Sequence, residues 1–297
     1  FYLIIMINLL VLKETVDSEK RVALVPDEIK KYLELGFKVT IEKDAGIKSG
    51  FLDEDYRKLN ANISQNVEKS IKESDIIIKI QKPDPRIIKE MKTGTILMGL
   101  LSPKKNSSEN TFYNKKKISA FALENIPRIT RAQDKDVLSS QSNLSGYKAV
   151  LDAAHEYSKS FPMMMTAAGT VTPAKVLVLG AGVAGLQAIA TAKRLGARVE
   201  AFDTRDIVEE QVKSLGAKFV KIDLGETGET DQGYAKELTS EQIEKQKELQ
   251  SLVCERSNIV ITTAQIFGRP APKIIDRDTI KKTFVYNHTL FGCSRKL

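Results

Sequence analysis

Between residues 175 and 203 the chain allows few folds. Lys175-Val-Leu-Val-Leu179 is a short, mostly apolar run rich in valine and leucine, the composition of a strand buried on both faces. Gly180, Gly182 and Gly185 follow at G-x-G-x-x-G spacing, and Val183 opens an Ala- and Leu-rich stretch that stays helix-compatible to Leu195. Each glycine has its own physical task. The first makes the tight strand-to-helix turn, the second lets backbone approach a pyrophosphate, and the third lets the helix pack close to the strand. The bare N–H groups at that helix start would favour negative charge. Gly196 then stops the helix, Ala197 to Phe202 reads as a second strand, and Asp203 closes it. An acid there is placed to hold a ribose 2′-OH and to repel a 2′-phosphate. Arg205 nearby is the group that would favour NADP, but the carboxylate argues for NAD(H).

At 297 residues the chain is long enough for two cores. It is 42% apolar, 28% charged and +8 net, with lysines spread along its length rather than gathered in a patch beyond Lys104-Lys105 and Lys115 to Lys117. That distribution argues for a solvated surface and against a nucleic-acid partner. Cys254 and Cys293 form no C-x-x-C spacing, so neither a disulfide framework nor a metal site is expected, which suits a reducing compartment. Phe1 to Leu12 is nearly all apolar but too short to span a bilayer and lacks a positive leading region. Ile7 to Leu12 reads as the first core strand, with Met6 as the expected start and Phe1 to Ile5 as extra residues. No direct membrane insertion is expected.

Strand and helix patterns alternate along the rest of the chain. A helix over Asp27 to Leu35 precedes a strand at Phe37 to Ile41, and further strand runs stand at Asp75 to Ile80, Thr95 to Leu101 and Ile118 to Leu123. This predicts an α/β protein of two Rossmann-like domains with parallel sheets and a cleft between them, over residues 1–141 and 142–297. Between them Arg128, Gln133, Asp136 and Ser139 stand in a stretch rich in hydrogen-bonding side chains, before a bridging helix expected from about Ser142 to Ser160. Asp223 to Ala235 is polar and glycine-bearing, with Gly233 and Tyr234 on a candidate loop that could close over a nucleotide. A helix at Thr239 to Glu255 leads to a strand at Asn258 to Thr262, and Thr263 and Ala264 begin a turn at its carboxyl end. Neither His155 nor His288 is placed for proton transfer.

Taken together, Arg128-Ile-Thr-Arg-Ala-Gln-Asp, Leu138-Ser-Ser-Gln-Ser-Asn, Gly180 to Gly185, Asp203-Thr-Arg, Gly233-Tyr-Ala-Lys and Thr262-Thr-Ala with Gly268 and Pro270 carry a resemblance. The chain resembles the NAD(H)-binding component of the proton-translocating NAD(P) transhydrogenases, within the alanine dehydrogenase/transhydrogenase family, over nearly its whole length to about Lys282. The resemblance implies a transhydrogenase of the Si-specific, proton-translocating type. Hydride would pass from NADH here to NADP⁺ on a partner domain, and a membrane partner would couple that step to proton movement. The implied setting is a homodimer, cytoplasmic and peripheral on the bacterial inner membrane. It further implies that Arg128, Gln133, Asp136 and Ser139 hold the nicotinamide end, with Tyr234 on the closing loop. Gly180, Gly182, Val183, Gly185, Asp203, Thr204, Arg205, Gly233, Thr263 and Ala264 would hold the rest of the cofactor. Alanine dehydrogenase is the nearest rival. A lysine for it is expected at Lys79 or Lys82, but Ile96 to Pro103 contains no histidine to move a proton. A nucleotide-binding fragment without catalysis is the alternative of another class. After Lys281-Lys282 the sequence departs from the family pattern. A C-terminally incomplete second domain is expected, with one sheet edge left bare.

Overall fold

The computed structural model describes residues 6–103, 108–222, 239–264, 271, 273–284 and 289–292. The chain divides into two compact units, Phe1–Asp136 and Val137–Leu297.

In the first unit six strands, β1 (Ile7–Val11), β2 (Phe37–Glu42), β3 (Asn62–Ser64), β4 (Ile76–Gln81), β5 (Ile96–Leu100) and β6 (Ser119–Ala122), form one sheet in the order β3-β2-β1-β4-β5-β6, every pair parallel. Helices α1 (Ile29–Glu34), α2 (Asp53–Arg57), α3 (Val67–Glu73), α4 (Pro85–Glu90) and α5 (Ser108–Lys115) lie between the strands in sequence. Period-two alternation explains why both faces are dry. Leu9 and Val11 join Val39, Ile41 and Ile29 in one cluster, while Leu10 and Leu12 join Ile77, Leu97 and Ile88 in another.

The second unit repeats the plan. It begins with α6 (Val137–Glu156) and a short antiparallel hairpin, β7 (Met164–Thr166) with β8 (Gly169–Val171). Then come β9 (Lys175–Leu179), α7 (Val183–Arg194), β10 (Arg198–Phe202), α8 (Glu209–Ser214), β11 (Lys218–Phe219), α9 (Ser240–Glu255), β12 (Ile259–Thr262), α10 (Arg277–Phe284) and β13 (Thr289–Gly292). The sheet order is β11-β10-β9-β12-β13, again all parallel. Val176 and Val178 face a cluster containing Ala149, Val150 and Ile189. Leu177 and Leu179 face one built on Val253 and Cys254. Thr239 opens α9 with a capping box, its hydroxyl accepting from Gln242 N–H while the Gln242 side chain accepts from Thr239 N–H.

In each sheet the chain reverses its direction of travel between two neighbouring strands, β1 and β4 in the first and β9 and β12 in the second. The carboxyl ends of such a pair flank the crevice where α/β proteins take ligands.

Two expectations need correction, and one element is new. The helix after Asp136 runs from Val137 to Glu156, not from about Ser142 to Ser160, because Leu138 to Gln141 are themselves compatible with a helical turn. The outer edge of β12 is not bare: Thr289–Gly292 pairs with it in parallel from Ile259 to Thr262. The hairpin β7–β8 was unannounced by any alternating pattern. Phe1 to Ile5, all of Asp223 to Ala235 with Gly233 and Tyr234, and also Gly268, Pro270, His288 and Cys293 lie outside the described residues. Among the described residues no helix is long and apolar enough to cross a membrane.

Candidate dinucleotide site

β9 delivers the chain to Gly180 at the reversal point of the second sheet. Gly180 has φ +100°, a conformation side chains rarely adopt, and a Cβ there would stand 2.8 Å from Thr263 Oγ1 and 3.0 Å from Ala264 N. The turn is fastened to both neighbouring strands. Gly180 N–H donates to Phe202 O at 2.8 Å, Thr263 N–H donates to Leu179 O at 2.8 Å, and the Thr263 hydroxyl donates to Gly180 O at 2.8 Å. Thr263 and Ala264 therefore shape the turn from the end of β12.

Gly185 and Gly182 differ sharply in their surroundings. A Cβ on Gly185 would lie 1.9 Å from Gly180 O, so α7 rests directly on the turn. A Cβ on Gly182 would meet nothing within 4 Å, so the space beside this residue is open. Gly182 is also the N-cap of α7, and no side chain caps that helix start. Val183 follows, partly exposed in the first turn. Open space beside uncapped helical amides has the shape and the sign of charge to take a pyrophosphate, so these residues fit a dinucleotide.

Asp203 stands at the end of β10, its side chain 8% exposed. Its Oδ1 accepts from Arg205 N (2.9 Å) and Arg205 Nε (2.9 Å). Its Oδ2 accepts from Ala181 N (2.7 Å) and Arg205 Nη2 (3.0 Å). One carboxylate thus ties the glycine turn to the tip of β10, with Thr204 between it and the arginine. The fork from Arg205 could not be read from the sequence, where only the proximity of the two residues was legible.

In the first unit, a short 3₁₀ helix over Thr130–Lys135, two turns long, follows Ile129 and carries Gln133, which is exposed. Asp136 ends that helix, its N–H donating to Gln133 O at 3.3 Å. Arg128 Nε lies 3.5 Å from Asp136 Oδ2, so these two candidates are an ion pair across the turn. Ser139 belongs to the first turn of α6, in the second unit, rather than to a linker. Behind it α6 packs closely on α7. A Cβ on Gly146 would lie 2.1 Å from Ala184 O, and Asn143 Nδ2 donates to Gln187 Oε1 at 3.3 Å.

A buried polar network at the reversal point of the first sheet escaped sequence reasoning. Lys79 Nζ donates to Glu14 Oε2 at 2.7 Å, with the two side chains 1% and 2% exposed. Glu14 also accepts from the N–H groups of Ile80 and Gln81. Gln81 Nε2 donates to Glu19 Oε2 at 2.8 Å, and Arg21 forks onto Glu19 through Nε and Nη2. Burial would raise the Glu19 carboxyl, but hydrogen bonds from Arg21 and Gln81 outweigh it and hold the acid at about 2. Glu42, which accepts from Lys13 N–H, is instead pushed up by burial. Both lysines weighed for amino-acid chemistry are ion-paired, the first of them in the buried network. Lys79 is committed to Glu14, and Lys82 pairs with Glu109 at 2.8 Å. The signal that could have found the network is a charged residue in each of two otherwise core-like runs, Glu14 after β1 and Lys79 within β4.

The chain is similar to known proteins over most of its length. The alanine dehydrogenase/PNT N-terminal domain matches residues 10–145, and the corresponding C-terminal domain matches residues 149–283. An NAD(P) transhydrogenase alpha subunit of Rickettsia prowazekii is 45% identical over 291 residues, covering 97% of this chain and 76% of that protein. The corresponding alpha subunit from Rhodospirillum rubrum is 46% identical over 280 residues, covering 91% of this chain and 72% of its own length. Among solved structures, the transhydrogenase from Sinorhizobium meliloti superposes with a TM-score of 0.81 at 41% identity, over 93% of this chain and 75% of that one.

Proposed function

Because the chain belongs to the alanine dehydrogenase/PNT family, whose members are nicotinamide-nucleotide oxidoreductases, we propose that it is the NAD(H)-binding component of a proton-translocating transhydrogenase. The observation that carries this reading is the glycine turn at the reversal point of the second sheet, with Gly182 open, α7 uncapped and Asp203 bonded to Ala181. In this reading the amides after Gly182 receive the pyrophosphate, with Val183, Thr204, Thr263 and Ala264 shaping the surrounding wall. Asp203 receives the adenosine ribose, which favours NAD(H) over a 2′-phosphorylated nucleotide. Arg128, Gln133, Asp136 and Ser139 orient the nicotinamide end, with Gly233 and Tyr234 completing the set.

When bound, the nicotinamide supplies the chemistry: a hydride leaves NADH for NADP⁺ held by a partner domain, giving NAD⁺ and NADPH, with no proton taken from this chain. These residues therefore need only bind, orient and exclude water, which agrees with the absence of a histidine from Ile96 to Pro103. Proton movement belongs to a membrane partner, and this chain sits peripherally on the cytoplasmic face of a bacterial inner membrane. The buried ion pair of Lys79 with Glu14 weighs against alanine dehydrogenation through that lysine.

A homodimer is part of the proposal. No charged residue stands from Ser160 to Ala174, in a chain that is 28% charged and +8 net. That stretch holds β7–β8, with Met163, Met164, Met165 and Val171 exposed, Met165 to 78%. The hairpin pairs with neither large sheet. A second copy is the partner it favours, since two identical uncharged edges can pair about a two-fold axis without bringing like charges together.

The decisive assay mixes the purified chain with the NADP(H)-binding partner and follows hydride transfer from NADH to NADP⁺. Transfer should require both proteins, and L-alanine should not reduce NAD⁺. Alanine-dependent NADH formation would overturn the reading, and NADH binding without transfer would leave a non-catalytic nucleotide-binding fragment.

A further inference from the structure

The Asp203 carboxylate is saturated. An ionised carboxylate has about four acceptor positions, two on each oxygen. Here each oxygen accepts two N–H donors, one from the backbone and one from the Arg205 guanidinium. The backbone donors, Ala181 N and Arg205 N, cannot leave without moving the glycine turn or the chain after β10. The guanidinium can leave by side-chain rotation, and its departure opens one position on each oxygen. Two adjacent openings on a carboxylate match the two hydroxyls of a vicinal diol.

We propose that Arg205 is a specificity-determining residue that competes with the adenosine ribose for Asp203 and so sets both the affinity for NAD(H) and its preference over NADP(H). The inference rests on the reading that Asp203 takes the ribose. Its consequences follow from charge. Before nucleotide arrives, the fork neutralises a carboxylate whose side chain is 8% exposed, beside an arginine side chain 13% exposed. The ribose must displace two charge-assisted hydrogen bonds, so part of its binding energy is spent on release. A 2′-phosphate offers no donor to Asp203 and is repelled by it, but the released guanidinium is a ready partner for that phosphate. Arg205 therefore weakens NAD(H) binding and softens the discrimination against NADP(H).

The test is calorimetric titration of the intact chain with NADH and with NADPH, in wild type, Asp203→Asn, Arg205→Met and Arg205→Lys, with melting temperatures read with and without NADH. Arg205→Met keeps the stem and removes the donors. It should bind NADH about five- to tenfold tighter, consistent with removing competition by charge-assisted bonds of ordinary net strength. It should bind NADPH more weakly, and melt lower than wild type without nucleotide but gain more from NADH. Arg205→Lys keeps the charge without the fork and should fall between the two. That variant also preserves the test should Arg205→Met not fold. If Asp203→Asn loses no NADH affinity, the ribose reading itself fails. If Asp203→Asn weakens NADH while Arg205→Met or Arg205→Lys also weakens it or leaves it unchanged, the ribose reading stands and the competition is refuted.

Discussion

Gly182 and Gly185 are three residues apart and identical in chemistry, yet their surroundings assign them different consequences. A methyl at Gly185 would be driven into Gly180 O at 1.9 Å, whereas one at Gly182 would enter open space. Gly185→Ala should therefore cost about 1–3 kcal/mol of stability through overpacking. Gly182→Ala should leave thermal unfolding nearly unchanged and weaken NADH about tenfold, or ~1.4 kcal/mol, by keeping the phosphates off the backbone. Unfolding curves and NADH titrations on the two variants separate the effects. Glu19 provides a second test at this scale. Its folded value of about 2 lies below its ordinary 4.5, so it contributes stability that is present above about pH 4.5 and lost as pH falls toward 2. Glu19→Gln should flatten the fall of urea midpoint with acid in that window, and an unchanged slope would show that the Arg21 and Gln81 bonds do not persist in solution.

Among the elements, α6 and α7 are the pair on which the dinucleotide turn depends. Gly146 lets α6 touch the backbone of Ala184, and Ala184 stands between the helix start and Gly185. Gly146→Val should cost about 3 kcal/mol and should also lower NADH affinity, because α7 cannot shift without moving its first-turn amides. A loss of stability with unchanged NADH affinity would uncouple the two helices. Elements were legible in the sequence where the signal was local. The β9–turn–α7–β10 unit could be located because glycine spacing and strand composition act within a few residues. The extra turn at the start of α6 was not, because Leu138 to Gln141 suit loop and helix alike. β13 was missed because the tail departs from the family pattern, and its place was decided by parallel pairing with β12, which no short-range rule detects. Hairpin β7–β8 was missed because methionine carries no strong strand preference.

For the whole molecule, two parallel sheets with reversal points at β1/β4 and β9/β12 repeat one plan, but the two reversal points are furnished differently. The first is filled by Glu14, Lys79, Gln81, Glu19 and Arg21 bonding to one another. The second is left open beside Gly182. Sequence patterns gave both sheets but not this contrast, because the pair of Glu14 and Lys79 joins residues 65 apart along the chain. Self-association belongs to the same scale. Met165→Glu would place a charge in the uncharged hairpin and should shift sedimentation toward the monomer without lowering the melting temperature of the fold. A wild-type chain already monomeric at micromolar concentration would remove the hairpin from that role. The central claim is that the glycine turn and Asp203 together grip a dinucleotide lacking the 2′-phosphate. Calorimetric titration of the wild-type chain with NADH and NADPH tests it most directly: NADH should bind at least about tenfold tighter, a difference of ~1.4 kcal/mol, and equal or tighter binding of NADPH would contradict it.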